Sequence, residues 1–179
     1  MLLDAPPWPI GTLIDAVGRA SPEALAEALG GWVLVGSDFS GEDDQWNFRT
    51  LSVRTVRDQT ESGEMLLLRD NFIVLPLRKA GRSFQDTILV GRASSNDVCV
   101  RHLSVSKLHA RIRRREDGLE ISDAGSSNGT RVRGAATRPD EWVAVASGDL
   151  ACFGSCPFHA LEPTHLGRLL QRFGPSPGP

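Results

Sequence analysis

The chain has 179 residues, 40% apolar and 23% charged, which is enough apolar material for a packed core and excludes wholesale disorder. Its net charge of −2 argues against a surface that coats nucleic acid throughout, and three cysteines cannot form a fully paired disulfide framework. No apolar run approaches the roughly 20 residues of a membrane-spanning helix. The opening MLLDAPPWPI lacks a basic start and is broken by Asp4 and by Pro6-Pro7, unlike a secretory signal, so the expectation is a soluble, reduced, cytoplasmic protein.

Two short helices are expected first. Thr12 offers a cap to a segment with Leu13, Ile14 and Val17 on its apolar side. Ser21-Pro22-Glu23 is a stronger start, with a hydroxyl cap, a proline at the first helical position and an acid near the positive end of the dipole. Leu25, Ala28 and Leu29 supply its apolar stripe and Gly30-Gly31 ends it. Trp32–Val35 then reads as a strand, residues 37–45 as a polar loop and Arg49–Arg57 as an alternating strand.

From Met65 the strand signals crowd together, at 65–68, 72–77, 87–91, 97–100, 109–115, 118–122, 130–132, 141–145 and 149–153. Turn signals separate them, among them Ser94-Ser95-Asn96-Asp97, Ser126-Ser127-Asn128-Gly129 and Ser147-Gly148-Asp149. Many short strands with no long helix between them point to an all-β sandwich and away from a parallel βαβ sheet. After Pro163, the spacing of Leu166, Leu169, Leu170 and Phe173 gives a last amphipathic helix, followed by the flexible tail GPSPGP.

Charge is distributed unevenly. Residues 1–90 carry 13 acidic and 8 basic groups, residues 91–138 carry 5 and 10, and residues 139–179 carry 4 and 2. The cationic middle third holds Gly91-Arg92, Ser106-Lys107-Leu108-His109 and Asp123-Ala-Gly-Ser-Ser-Asn-Gly-Thr130. Each feature is weak alone. An arginine fork, a serine hydroxyl, a lysine and turn N–H groups together make a donor set suited to a phosphate dianion. The amide of Asn128 suits the backbone of an extended peptide.

In this order and spacing, LVGRASSNDV, SVSKLHARI, ISDAGSSNGTRV and SGDLACFG resemble a forkhead-associated (FHA) domain, a phosphothreonine-binding module. The resemblance covers residues 71–160, leaving an N-terminal extension of residues 1–70 and a helix and tail at 161–179. It implies a sandwich of two antiparallel sheets with ligand loops clustered at one end. It also implies that Arg92 grips the phosphate, that Ser106 and Lys107 contact it, and that Ser127 and Asn128 contact phosphothreonine and the peptide backbone. Gly91, His109 and Gly129 match loop-shaping positions, and Ser104 matches a position that influences selectivity. Arg133-Gly134 replaces the asparagine-glycine that the family often has after the next strand.

The implied function is a signalling adaptor that binds a threonine-phosphorylated protein or peptide downstream of a Ser/Thr kinase, as in bacterial kinase signalling, with neither cofactor nor catalysis. The alternative is an interaction or oligomerisation module of the same fold that works without phosphate. Ser106 and His109 could mimic a nucleophile and its base, yet no nucleophile elbow, Walker loop or carboxylate pair accompanies them. Cys152, Cys156 and His159 lack a fourth metal ligand and read as packing residues. The run Arg111–Arg115 lacks the interleaved aromatics of a nucleic-acid surface. Thr55-Val-Arg-Asp58, a threonine with an acid three residues on, is a candidate for self-association if phosphorylated.

Overall fold

The computed structural model describes residues 6–17, 21–39, 55–59, 65–69, 71–79 and 86–173. Among the described residues three helices occur, α1 (Ile10–Val17), α2 (Pro22–Leu29) and α3 (Pro163–Gln171). The strands are β1 (Trp8–Pro9), β2 (Val33–Gly36), β3 (Thr55–Gln59), β4 (Met65–Arg69), β5 (Ile73–Pro76), β6 (Thr87–Gly91) and β7 (Val98–Cys99). They continue as β8 (Ala110–Arg115), β9 (Gly118–Asp123), β10 (Thr130–Val132), β11 (Ala135–Ala136), β12 (Trp142–Val145), β13 (Leu150–Phe153) and β14 (Cys156–Leu161).

Seven strands form one sheet in the order β1-β5-β2-β14-β13-β10-β11, and five form the facing sheet in the order β12-β9-β8-β6-β7. The fold is an all-β sandwich. Pairing within the sheets is antiparallel except between β6 and β7, which run parallel with Val90 opposite Val98. The core between the sheets holds Leu34, Val90, Ile112, Ile121, Phe153 and Phe158. Side chains alternate across a strand, so Val33 and Val35 of β2 point the other way, into a second apolar cluster. That cluster joins the outer face of the seven-stranded sheet to α1, α2, α3 and the β3–β4 ribbon through Leu13, Leu25, Leu68 and Leu169.

Val33–Gly36, expected in an extension before the sandwich, is therefore an inner strand. It pairs with β14 on one side and β5 on the other. The helix starting after Ser21 forms as its sequence dictates. The Ser21 hydroxyl accepts the Ala24 N–H at 3.2 Å, and Gly30 closes the helix at φ 67°. The Arg78 guanidinium adds a second closure, donating to the carbonyls of Ala28 at 2.7 Å and Leu29 at 3.0 Å. The expected cap at Thr12 is not used. Helix α1 begins at Ile10, whose N–H is taken by the Phe72 carbonyl at 2.8 Å, so the sheet rather than a side chain fixes its start.

Part of the expected loop at 37–45, the first residues of the strand expected at 49–57 and the tail at 174–179 lie outside the described residues. No helix among the described residues is long and apolar enough to cross a membrane.

Candidate functional site

Three connections meet at one end of the sandwich: residues 92–97 between β6 and β7, 100–109 between β7 and β8, and 124–129 between β9 and β10. The first two are joined through main chain. Arg92 N–H donates to the Ser106 carbonyl at 2.9 Å and Ala93 N–H to the Lys107 carbonyl at 3.2 Å. The buried Asn96 amide closes the same junction, donating to the carbonyls of Ala93 at 2.8 Å and Lys107 at 2.6 Å. This approach is why residue 91 is glycine. A Cβ there would collide with the Lys107 carbonyl and lie 2.8 Å from the Asn96 side-chain nitrogen.

The Arg92 side chain is exposed and anchored by one bond, from Nε to the Val105 carbonyl at 3.2 Å. Its two terminal amino groups meet no acceptor among the described residues and remain open as a fork. The Ser106 hydroxyl accepts the Ser127 N–H at 3.0 Å and lies 3.5 Å from the Ser127 hydroxyl, so it joins the second and third connections. Lys107 is exposed beside it. The exposed Asn128 amide donates its nitrogen to the Ser104 carbonyl at 2.8 Å, which leaves its oxygen available as an acceptor. Gly129 follows at φ 73°, a left-handed conformation that favours glycine.

His109 is fully buried and ties the site together. Its Nδ1 accepts the Ser106 N–H at 3.0 Å, so the ring proton resides on Nε2, which donates to the Gly129 carbonyl at 3.2 Å. Burial depresses the ring's pKa below its usual value, against weaker upward pulls from the Gly129 carbonyl and the Asp123 charge. The ring is committed to the serine's main chain rather than its hydroxyl. The pair is therefore not arranged as nucleophile and base.

Asp123 organises the third connection. One carboxylate oxygen accepts the N–H groups of Gly125 at 2.8 Å and Ser126 at 2.9 Å. The other accepts the hydroxyls of Ser126 at 2.6 Å and Thr130 at 2.7 Å. Burial pushes this acid's pKa up, but the four hydrogen bonds outweigh it and hold the pKa below the usual carboxylate value. The sequence reasoning gave neither Asp123 nor Asn96 a place in the site. The available signal was the Asp-x-Gly-Ser run closed by Thr130, an Asx-turn pattern in which one carboxylate serves several donors.

Ser104 lies at the back of the loops. Its hydroxyl accepts the Ser155 N–H at 3.0 Å and sits 2.8 Å from both the Ser155 hydroxyl and His102 Nδ1. It is thus occupied within the protein and holds the second connection against the β13–β14 turn. The arginines of β8 are also engaged. Arg111 pairs with Asp140 at 2.6 Å, and Arg113 pairs with Glu120 at 2.5 Å beneath the Trp142 ring. Arg92, Arg101 and Lys107 have no carboxylate partner among the described residues, so positive charge concentrates at the loop end.

Residues 88–154 match the family model of the FHA domain. The chain carries an FHA domain. The match starts in β6 and ends just past β13, so it spans all three connections and every residue of the candidate site. The sandwich is completed by β2, β5 and β14, which lie outside the matched segment. Among solved structures, the chain is similar to EmbR of Mycobacterium tuberculosis in complex with a low affinity phosphopeptide, at 21% identity over 60% of this chain and 24% of that one, with a TM-score of 0.40. It is similar to the FHA domain of CT664 from Chlamydia trachomatis, at 17% identity over 73% and 96% of the two chains, with a TM-score of 0.41. It is also similar to the FHA domain of an Arabidopsis thaliana hypothetical protein, at 26% identity over 70% and 90%, with a TM-score of 0.41. No curated protein matches the chain.

Proposed function

We propose that the FHA domain reads phosphothreonine peptides, with the phosphate held between Arg92 and Ser106. The observation that carries this reading is the open Arg92 fork, fastened by its backbone and its Nε to the loop that presents Ser106. Ser127 completes the donor set from the third connection, Lys107 adds a point charge, and the available oxygen of Asn128 meets a peptide N–H. Four of these groups, Ser106, Lys107, Ser127 and Asn128, sit on loops cross-braced by His109 and Asp123, so little ordering entropy is lost on binding. The domain acts as an adaptor for a partner phosphorylated by a Ser/Thr kinase.

The test is fluorescence polarisation with a phosphothreonine peptide library, beside phosphoserine and unphosphorylated versions. A charge-assisted contact contributes about 1.5–3 kcal/mol net, so Arg92→Ala weakens binding by roughly tenfold or more. Equal binding by the parent and the folded variant refutes the reading. Self-recognition through Thr55 has a structural obstacle. Thr55 is paired with Arg69 in the β3–β4 ribbon, and Asp58 is engaged by Arg172 at 3.2 Å. The segment would have to leave the ribbon to lie across the loops as an extended peptide.

A further inference from the structure

The large apolar side chains left exposed among the described residues are Leu103, at 82%, and Leu108. Both lie in the 100–109 connection. A leucine exposed on a loose loop needs no explanation. Leu103 is carried by a fixed one. Within its turn, the Val105 N–H donates to the His102 carbonyl at 3.0 Å and the Ser104 N–H to His102 Nδ1 at 3.2 Å. From outside it, the Ser155 N–H donates to the Ser104 hydroxyl at 3.0 Å and the Asn128 amide to the Ser104 carbonyl at 2.8 Å. The residues on both sides of Leu103 are therefore tied down. Apolar cover lies one residue away, where the His102 ring packs edge-on against Phe39 with centroids 5.6 Å apart, yet Leu103 is held out in water.

Cations flank this leucine. Arg101 precedes it and Lys107 follows it in the same connection, and Arg92 is fastened to that connection through the Ser106 and Val105 carbonyls. All three are exposed and have no carboxylate partner among the described residues. Nearby acids are committed inside the protein. Asp97 pairs with Lys79 at 2.9 Å, and Asp123 is occupied by the donors of its own turn. Asp38 borders the same end and offsets one of the charges, so the end stays net positive.

A protruding leucine flanked by cations suits a surface that is anionic and yields to shape. A protein partner would need a pocket opposite Leu103. A lipid bilayer needs none, since the leucine passes between headgroups while the cations stay among the phosphates. We propose that this end of the sandwich docks on anionic membranes, with Leu103 inserted among the lipids and Arg92, Arg101 and Lys107 against the headgroups. The attachment is reversible and falls with salt, because a single apolar tip and a few cations supply it. It rests on exposure and charge and stands independently of the phosphothreonine reading.

Co-sedimentation with vesicles tests this, using phosphatidylserine and phosphatidylcholine in equal parts beside phosphatidylcholine alone, at low and high salt. The parent is expected to bind the mixed vesicles, to ignore the neutral ones and to be released by salt. Leu103→Ser should weaken that binding by roughly tenfold, the effect of withdrawing one such side chain from lipid, and Arg101→Ala by about fivefold. Both positions are exposed, so the variants should melt with the parent. Leu103→Trp should bind as the parent does and gain fluorescence that brominated lipid quenches, which reports insertion directly. No binding to the mixed vesicles, or equal binding by the parent, Leu103→Ser and Arg101→Ala, overturns the proposal. So does a dimer in analytical ultracentrifugation that Leu103→Ser dissolves while vesicles fail to bind, which would assign the leucine to a contact between copies.

Discussion

Replacing Asp123 by alanine probes the loop architecture most directly. The side chain is 2% exposed and accepts four hydrogen bonds at 2.6–2.9 Å. At about 1.5–3 kcal/mol net for a bond to a charged group, simple addition would reach roughly 6–12 kcal/mol, comparable to a whole domain's stability. The four share one acceptor, so they are not additive. After the change, the donors on Gly125 and Ser126 can turn to water, because both residues reach the surface. Thr130 is fully buried and its hydroxyl is left without that acceptor. The expected loss is therefore about 3–4 kcal/mol, or roughly 6–16 °C in melting temperature for a chain of this size. Urea denaturation of parent and variant measures it. The native carboxyl has a depressed pKa, so its contribution is complete above the ordinary value of 3.8 and disappears as pH falls through the lower folded value. The stability gap between the two proteins should close in acid. A gap below about 1 kcal/mol at pH 7, or one that persists unchanged in acid, would refute this account.

Three other outcomes are expected. Gly91→Ala drives a Cβ into the Lys107 carbonyl, where backbone rather than a flexible side chain must yield, and should cost about 1–3 kcal/mol in thermal or chemical melts. Burial keeps His109 neutral in the folded state, so the unfolded chain takes up the proton first. Its contribution is complete above the ordinary pKa of 6.5 and declines as pH drops below it, so His109→Gln should flatten the change in stability measured between pH 7.5 and 5.5. Leu169→Ala removes a side chain 1% exposed beneath α3 and should cost about 2–5 kcal/mol in a single unfolding transition. A separate early transition would show instead that α3 and its cluster unfold apart from the sandwich.

The strands that sequence exposed most clearly have one face toward the core and the other toward water. Thr130–Val132 and Thr87–Gly91 appear with the expected bounds because alternation and flanking turns mark them. Strand β14 was not anticipated. Cys156–Leu161 contains a proline and does not alternate, because the sandwich covers one face and the helical cluster covers much of the other. The mate of β2 was hidden for the same reason. The candidate ligand contacts were legible as exposed polar residues in a fixed order. The groups that hold them, Asp123 and Asn96, were not: Asn96 is recognised by its bond to the Lys107 carbonyl on another connection, and Asp123 by local donors that converge on it only once the turn has formed. Ser104 shows the reverse: polar and near the site in sequence, its hydroxyl is already engaged by Ser155 and His102.

The place of β2 bears on how the protein is made. Val33–Gly36 is translated more than a hundred residues before its partner, Cys156–Leu161. Until then β2 has β5 on one side and nothing on the other, and Val33, Leu34 and Val35 wait without the layers that finally cover them. The seven-stranded sheet cannot close until β14 is made, and its closure is a long-range event of the kind that slows folding. While the intervening residues are made, a nascent chain with this wiring exposes an unpaired apolar edge of the kind that invites wrong pairing.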